Sequence, residues 1–404
     1  MDLSWLKSIS SVLFVIEKRP YSWWIKQDSL LRIHGGEPAD VLLAFLEGLA
    51  GFGGDRSQHL ERFADFLVVN SFFSILDYWA DRQISDALDR DGYLFFMRLK
   101  IMAMVERGRF EELAKLIASG GMGDRRKQWI HATICRLYSG KSPALFVEDG
   151  QYQMPFSGHG SDLSFWVLSL PSDVYRREKL AGLFRYNSCF YSFFDGVKPS
   201  EMPLDGPIFN LDKKMAAHPE LLKGNFGCVY STYLLYSHLF GSAQDDCYLI
   251  VEDDIVTLAP LRLDGDSPLQ EALDRYELIY LNDRLQCSGQ SPEPVQDALM
   301  WMDSSVAIKK NAPGNDGYII KRSALQKMLD YFDEVKISDF GADWMLLMNS
   351  LSPADLQRFK PGSLYRRMAE RYRPFSQRRP PISACVLPDP VVKHAPRSTW
   401  NSWR

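Results

Sequence analysis

The stretch YLIVEDDIVTL, Tyr248–Leu258, places three consecutive acidic residues directly behind an apolar run. A short, continuous apolar run of this kind is typical of a buried strand. In an open α/β sheet, ligands bind beyond the carboxyl ends of the strands. The carboxylates of Glu252, Asp253 and Asp254 would stand at such an end, where they either hold a divalent cation or are simply solvated. The three residues alone leave both alternatives open.

Strand geometry predicts which of these carboxylates lie together. Successive side chains of a strand point to opposite faces of the sheet. If the stretch is a strand, Glu252 and Asp254 lie on one side and Asp253 lies on the other.

Length and composition narrow the class of protein. The chain has 404 residues, 46% of them hydrophobic and 24% charged, which favours two domains with sizeable cores. A net charge of −4 does not suit a nucleic-acid-binding protein. The six cysteines are scattered without a C-x-x-C pair, which indicates reduced thiols. No apolar run reaches the roughly 18 residues of a membrane span, and the N-terminus lacks the features of a signal peptide. We therefore expect a cytoplasmic protein.

Residues 1–155 are predicted to form an all-α domain, either a bundle or an array of helical pairs. Apolar residues recur three and four apart in VLLAFLEGLAGF, FADFLVVNSFFSILDYWADR and LFFMRLKIMAMVERG. The segment RGRFEEL, Arg107–Leu113, has a glycine between helical patterns and predicts a tight helical hairpin. The polar and glycine-rich stretch Gly150–Asp162 is the predicted domain boundary.

Residues 160–404 are predicted to form an α/β domain with a mostly parallel central sheet. Apolar strand patterns in LSFWVLSL, CFYSFFDGV, CYLIVEDDI and YELIYLND alternate with the helical patterns VYRREKLAGLFR and GCVYSTYLLYSHLF. Strands that alternate with helices favour this architecture.

Four blocks of this second domain resemble glycosyltransferase family 25, the family of lipooligosaccharide and collagen galactosyltransferases. They are FWVLSLPSDVYRREKLAGLFRYNSCFYSFFDGV, GNFGCVYSTYLLYSHLF, YLIVEDDI and NAPGNDGYIIKRSALQKML, in the order of the family. The resemblance covers roughly residues 164–394 and leaves out the first 155 or so. It implies a GT-A-like nucleotide-sugar-binding domain with a metal-binding acidic motif.

The resemblance implies roles on the donor side of the site. Ser169, Asp173 and Arg177 would approach the uridine or the diphosphate, although Arg177 and its neighbour Arg176 could equally form a solvated helix start. In the acidic motif, Asp254 would be the direct ligand of Mn²⁺ or Mg²⁺. Its neighbours Asp253 and Glu252 would contact the sugar, the ribose or metal-bound water.

The resemblance also implies roles on the acceptor side. Asp316, in the GNDGYIIKR segment, would belong to an acceptor loop, although NDG is also ordinary turn chemistry. Asp343, and second to it Asp339, would be the general base that removes the acceptor proton. The alternative for Asp343 is a helix N-cap. His394 would complete a metal or diphosphate site, against the alternative of a structural histidine.

The implied activity is a metal-dependent, inverting transfer of a hexose, galactose first, from a UDP-sugar to a surface glycan or glycolipid such as the lipopolysaccharide core. Two departures from the family pattern, Asn225 after Gly224 and Thr232 after Ser231, keep a rival open. In that rival the helical domain is a protein-binding scaffold and the transferase domain is degenerate and inactive. A nucleotidyltransferase is disfavoured because LSLPSDVYRR contains no glycine-rich phosphate loop.

Two further contacts are expected. The segment 358–379 holds eight basic residues and one acid, with aromatic residues between them, which suits either a peripheral contact with the anionic inner membrane or a solvated tail. The helical domain could bind the acceptor, a partner enzyme or a second copy of the chain.

Overall fold

The computed structural model describes most of the chain, in segments. They are residues 21–34, 56–69, 72–86, 90–118, 124–135, 147–148, 151–152, 161–203, 208–209, 224–242, 245–257, 261, 263, 267–282, 284, 289–298, 315–337, 341–359, 366–367, 369–370, 374–375 and 377–394. The chain divides into two compact units, residues 1–154 with 396–404, and residues 155–395.

The first unit is built from helices. They are α1 (Tyr21–His34), α2 (Arg56–Val69), α3 (Phe73–Asp86), α4 (Arg90–Glu106), α5 (Phe110–Ala118) and α6 (Asp124–Ile134), followed by a two-residue antiparallel pair, β1 (Val147–Glu148) and β2 (Gln151–Tyr152). Its core is aromatic, with edge-to-face contacts of Trp79 to Phe63 and to Phe96 at 4.9 and 5.3 Å between ring centroids. The predicted helix in VLLAFLEGLAGF lies outside the described residues.

The predicted helical segment FADFLVVNSFFSILDYWADR is two helices rather than one. α2 ends at Val69 and α3 begins at Phe73. The carboxylate of Asp28, on α1, accepts hydrogen bonds from the backbone N–H groups of Ser74 and Ile75 at 3.0 and 3.1 Å. Because a buried carboxylate from another helix satisfies these first-turn donors, the chain can start a new helix there.

The predicted helical hairpin is confirmed at α4 and α5. Gly108 has φ of 67° and its N–H donates to the Val105 carbonyl, while the Arg109 N–H donates to the Met104 carbonyl. This pair of bonds is the Schellman motif, in which glycine supplies the left-handed residue that ends a helix. The buried carboxylate of Asp77 pairs with both Arg107 and Arg109, which holds α3 against the turn.

The second unit is an α/β unit with a seven-stranded mixed sheet. The strands are β3 (Phe165–Ser169), β4 (Tyr191–Asp195), β5 (Cys247–Glu252), β7 (Leu278–Tyr280), β8 (Glu293–Pro294), β9 (Gly317–Lys321) and β10 (Ala384–Val386), in the order β4-β3-β5-β9-β7-β10-β8. A separate antiparallel pair joins β6 (Ile255–Thr257) to β11 (Val392–His394). The helices are α7 (Val174–Tyr186), α8 (Gly224–Ser242), α9 (Pro268–Arg275), α10 (Val295–Ala298), α11 (Arg322–Val335), α12 (Ala342–Asn349) and α13 (Pro353–Arg358), with one 3₁₀ turn at Pro199–Glu201.

The prediction of a mostly parallel sheet is only partly confirmed. The pairs β3–β4, β3–β5 and β7–β10 are parallel, whereas β5–β9, β7–β9 and β8–β10 are antiparallel. The apolar pattern could not reveal this difference, because Leu249, Ile250 and Val251 are all buried. A strand buried on both faces carries the same continuous apolar run in either direction.

The core of this unit lies between the sheet and the helices α8, α11 and α12. Tyr248 and Ile250 of β5 contribute to it, and Tyr233 on α8 packs edge-on against Phe332 on α11 at 5.5 Å between ring centroids. Within the residues that the structure describes, no helix is long and apolar enough to cross a membrane. The cysteines at positions 135, 189, 228, 247 and 385 are free thiols.

The basic segment 358–379 contributes to the fold of this unit. Phe375 is buried and packs edge-on against Tyr331 at 4.9 Å between ring centroids. The described arginines 366, 378 and 379 pair with Glu370, Glu334 and Asp330 respectively. The described part is therefore docked and partly charge-neutralised, which contradicts the solvated-tail alternative.

Candidate functional site

The site forms at the edge of the sheet where β3 and β5 end and β9 begins. β5 and β9 run antiparallel, with Val251 opposite Gly317, so the end of β5 meets the start of β9. The Glu252 N–H donates to the Asp316 carbonyl at 3.3 Å. Residues that follow β5 and the residue that precedes β9 therefore occupy the same edge.

Three carboxylates meet at this edge. One oxygen of each of Glu252, Asp254 and Asp316 lies within 4.8 Å of the others. Carboxylate oxygens are the ligands that hard divalent cations such as Mg²⁺ and Mn²⁺ prefer. The donor set thus fits the divalent cation that the family resemblance implies.

The crowding of these carboxylates changes the titration of Glu252. Burial, followed by the charges of Asp254 and Asp316, raises its pKa from 4.5 to about 8. The Cys228 thiol donates to its Oε1 across 3.8 Å. Negative charge here is costly without a counterion, which is a property of a site shaped for a cation.

Asp253 lies apart from that cluster and is held by two donors. The Ser169 hydroxyl donates to its Oδ2 at 2.6 Å and the Arg176 guanidinium donates to its Oδ1 at 2.5 Å. Arg176 also lies 3.6 Å from Asp254. Burial raises the pKa of Asp253 above its usual value, although Arg176 and Ser169 oppose the rise. Asp253 thus ties the turn after β5 to β3 and α7 rather than facing Glu252 and Asp254.

Asp316 is bound by an arginine that the sequence reasoning missed. Arg284 donates from Nε and Nη2 to the two oxygens of Asp316, both at 2.6 Å. Asp316 is 0% exposed. We predicted an acceptor loop or a simple turn for this aspartate. It lies in the turn before β9, and this turn brings it to the cluster of Glu252 and Asp254.

Asp343 lies in the first turn of α12, where Gly341 is the N-cap. The N-cap alternative for Asp343 is therefore wrong. Its Oδ1 accepts a hydrogen bond from the Trp344 N–H at 2.9 Å, and burial raises its pKa. A Cβ atom on Gly341 would lie 2.5 Å from that oxygen, so only glycine leaves room for this side-chain position.

A cavity of about 250 Å³ is lined by all three residues of the acidic motif. Its wall includes the three acidic residues of the motif, Ser169, Asp173, the cations Arg176 and Lys198, and the thiol of Cys228. The cavity therefore joins a carboxylate cluster to two cationic side chains. That combination suits a ligand with a phosphate group bridged by a divalent cation.

The remaining predicted residues are distributed as follows. Arg177 donates to the Ser169 hydroxyl and carbonyl and pairs with Asp195 at 2.7 Å, so its guanidinium is used within the fold. The backbone of His394 pairs with Ile255, one residue beyond Asp254. Asp339 lies outside the described residues.

The structure describes the side chain of only one of the two departures from the family pattern, Thr232 and not Asn225. The Thr232 hydroxyl donates to the Cys228 carbonyl at 2.9 Å, a bond within α8. Its neighbour Ser231 accepts from the Val197 N–H at 2.8 Å, which fixes the cavity wall at the end of β4. Of Asn225 only the helical backbone is described. Thr232 thus makes a local helix bond and does not disturb the carboxylate cluster.

Nothing local in the sequence singles out Lys198, Cys228 or Arg284 as site residues. Cys228 lies in a block that resembles the family, but its thiol is not distinguished there. Lys198 directly follows another such block, and Arg284 follows β7 in a stretch of polar residues. The basic pair Arg176 and Arg177 indicates a cationic side chain at the site, but the sequence does not show which of the two arginines lines the cavity.

Comparison with known proteins shows what this domain is similar to. Residues 163–345 match glycosyltransferase family 25, described as an LPS biosynthesis protein. The chain is 27% identical over 208 residues to the lacto-N-neotetraose biosynthesis glycosyltransferase LgtB of Neisseria meningitidis serogroup A, a match that spans 48% of this chain and 68% of that protein. It is 24% identical over 203 residues to the lipooligosaccharide biosynthesis protein lic2B of Haemophilus influenzae, spanning 48% and 72%. A third relative, LgtB of Neisseria gonorrhoeae, is 30% identical over 175 residues, spanning 41% and 60%. Residues 163–345 are therefore a glycosyltransferase domain that is similar to family 25.

Proposed function

We propose that this protein is a divalent-cation-dependent, inverting hexosyltransferase of GT-A-like architecture that uses a UDP-sugar as its donor. The observation that carries the proposal is the cluster of Glu252, Asp254 and Asp316 beside a cavity that also holds two cationic side chains. Carboxylates alone would repel a diphosphate, and cations alone would not need three acids. Together they fit a diphosphate that arrives with a metal ion.

The donor would lie in the cavity. The side chains of Arg176 and Lys198 supply positive charge for the diphosphate oxygens. Arg176 keeps its bond to Asp253, so its guanidinium is already oriented before a ligand binds. Ser169, in the cavity wall, donates to Asp253 and accepts from Arg177, so we assign both residues a supporting role rather than a contact with the nucleotide.

Glu252, Asp254 and Asp316 are the residues that would hold Mn²⁺ or Mg²⁺, with Asp254 as the first candidate. The bound cation would neutralise the charge that develops on the departing diphosphate. Because its pKa is raised to about 8, Glu252 carries a proton at neutral pH. It would lose this proton when it binds the cation.

Asp343 is the candidate base for the acceptor. The acceptor hydroxyl oxygen would attack the anomeric carbon, the bond from that carbon to the β-phosphate oxygen would break, and UDP would leave with the bonding electrons. The hydroxyl proton would pass to the Asp343 carboxylate. Burial raises the pKa of Asp343, which makes the carboxylate a better proton acceptor than an ordinary aspartate.

The names of the relatives support the choice of acceptor. LgtB is a lacto-N-neotetraose biosynthesis glycosyltransferase and lic2B is a lipooligosaccharide biosynthesis protein. We propose a surface glycan of the lipooligosaccharide or lipopolysaccharide class as acceptor, and UDP-galactose as the first donor to test. Such an acceptor is made at the inner membrane, where a cytoplasmic enzyme would make a peripheral contact. Co-flotation of the protein with anionic vesicles would support this contact, and a lack of co-flotation would contradict it.

The metal and the nucleotide can be tested together by calorimetry. Wild type should bind UDP in the presence of Mn²⁺, and Asp254→Asn should weaken this binding at least tenfold. Asp274→Asn is a matched control, because Asp274 is an exposed aspartate on α9. If wild type binds no nucleotide with any divalent cation, the transferase proposal fails and the scaffold alternative gains.

The base can be tested separately. Asp343→Asn should leave UDP binding unchanged and reduce transfer by two orders of magnitude or more. A screen of UDP-sugar hydrolysis by wild type across donors would identify the sugar without a known acceptor. If Asp343→Asn transfers at the wild-type rate, the base lies elsewhere.

A further inference from the structure

Arg284 is a half-buried arginine that makes a two-pronged contact with the site. Its Nε and Nη2 atoms each lie 2.6 Å from a different oxygen of Asp316. The guanidinium side chain is 28% exposed, whereas that of Asp316 is 1% exposed. Such a bidentate contact fixes the orientation of the carboxylate plane and also compensates its negative charge.

The fold brings Arg284 to this position through the antiparallel pairing of β7 with β9. Tyr280 lies opposite Tyr318, and the Leu281 N–H donates to the Gly317 carbonyl at 3.1 Å. The end of β7 therefore meets the start of β9, where Asp316 lies. The Asn282 side chain accepts a hydrogen bond from the Arg284 N–H at 3.2 Å and so fixes the turn that presents the arginine.

Among the described residues, the charges that act most on Arg284 are carboxylates of the site. Burial alone would lower the pKa of Arg284, but Asp316, Glu252 and Asp343 raise it. Arg284 thus reduces the repulsion that a cation-binding cluster must otherwise bear. Each carboxylate oxygen has two lone-pair directions, so an Asp316 oxygen that accepts from Arg284 can still bind a cation.

We propose that Arg284 is a positioning residue, which holds Asp316 toward Glu252 and Asp254 and thereby sets the affinity of the site for a divalent cation. This inference rests on the proposed function, since it assumes that the three carboxylates bind a metal. The alternative role is that Arg284 competes with the cation for Asp316. The two roles predict opposite changes when the guanidinium is removed.

The test is a titration of the full chain with Mn²⁺, in which electron paramagnetic resonance measures the free ion. Arg284→Gln should weaken Mn²⁺ binding by about 10- to 100-fold, as loss of a residue that orients a metal ligand does. Arg284→Lys should fall between wild type and Arg284→Gln, because an ammonium keeps the charge and loses the fork. Arg275→Gln is the control, since Arg275 forms an exposed pair with Glu271 on α9.

Three results would overturn the inference. Unchanged Mn²⁺ affinity in Arg284→Gln would mean that the arginine only stabilises the fold, and tighter binding would mean that it competes. If Arg284→Gln does not fold, wild-type affinity in Arg284→Lys would contradict the orienting fork. A wild type that binds no Mn²⁺ is a different failure, because it removes the metal from the proposed function itself.

Discussion

Replacing Glu252 by glutamine tests the crowding of carboxylates that defines the site. The substitution keeps the shape of the side chain and removes its charge. In the folded protein the pKa of Glu252 is about 8, whereas the ordinary value is 4.5. Below pH 4.5 the residue is protonated in both the folded and unfolded states. As the pH rises from 4.5 to 8, the unfolded chain loses the proton first, so wild type loses stability that the glutamine variant keeps.

The size of the effect follows from the shift. Stability falls by about 1.4 kcal/mol for each pH unit in this window. Between pH 5 and pH 7.5, the advantage of Glu252→Gln over wild type should therefore grow by about 3 kcal/mol. For a unit of this size, that corresponds to roughly 6–12 °C in the midpoint of thermal unfolding.

The assay is thermal unfolding with a chelator at pH 5, 6, 7 and 7.5, with Glu271→Gln as control. Glu271 is a partly exposed glutamate on α9, so its replacement should give a small, nearly constant offset. Saturating Mn²⁺ should reverse the order, because a ligand at 100 times its Kd stabilises the protein that binds it by about 2.7 kcal/mol. A difference between Glu252→Gln and wild type that does not change with pH would refute the reasoning.

Three further substitutions probe other parts of the molecule. Ser169→Ala removes one of the two donors to buried Asp253 and should lower stability by about 1.5–3 kcal/mol in urea unfolding, with UDP affinity little changed. A large loss of UDP affinity at wild-type stability would instead make Ser169 a direct ligand. Gly341→Ala should displace the Asp343 carboxylate and lower the transfer rate at least tenfold, while the circular dichroism spectrum stays unchanged. A wild-type transfer rate would contradict a role for the close approach of Gly341 to Asp343. Asp28→Asn should leave stability unchanged near pH 4 and raise it above pH 7. Burial raises the pKa of Asp28 from 3.8 to about 7, so wild type loses stability as the pH rises between these two values. A difference in unfolding midpoint that does not change with pH would show that Asp28 titrates normally.

Local pattern was sufficient for the elements around the acidic motif. The strand at Phe165–Ser169, the helix at Val174–Tyr186 and the strand at Cys247–Glu252 each match a predicted segment within a few residues. These matches depend only on short-range periodicity, which is readable from the sequence. The structure also places Glu252 and Asp254 together, but strand alternation is not the reason, because β5 ends at Glu252 and Asp253 and Asp254 form the turn before β6.

Contacts between distant segments could not be predicted in the same way. Arg284 and Asp316 meet because β7 and β9 pair in register, and neither residue carries a motif that announces the pairing. The break between α2 and α3 likewise depends on Asp28, which lies on another helix. The aromatic residue Phe375 was assigned to a tail because its neighbours are basic, yet it packs on Tyr331. In each case the deciding partner is remote in sequence.

The part of the fold that the sequence analysis predicted incorrectly is the part that builds the site. Asp316 directly precedes β9, a strand of five residues that spans about 16 Å at roughly 3.3 Å per residue. If β9 ran parallel to β5, Asp316 would lie at the opposite edge of the sheet, about that distance from Glu252 and Asp254. Because β9 runs antiparallel between β5 and β7, its start lies beside the end of both strands. An acid before β9, one acid that ends β5, one acid in the turn after it and an arginine after β7 therefore converge, and the mixed sheet is the condition for a three-carboxylate cluster in this chain.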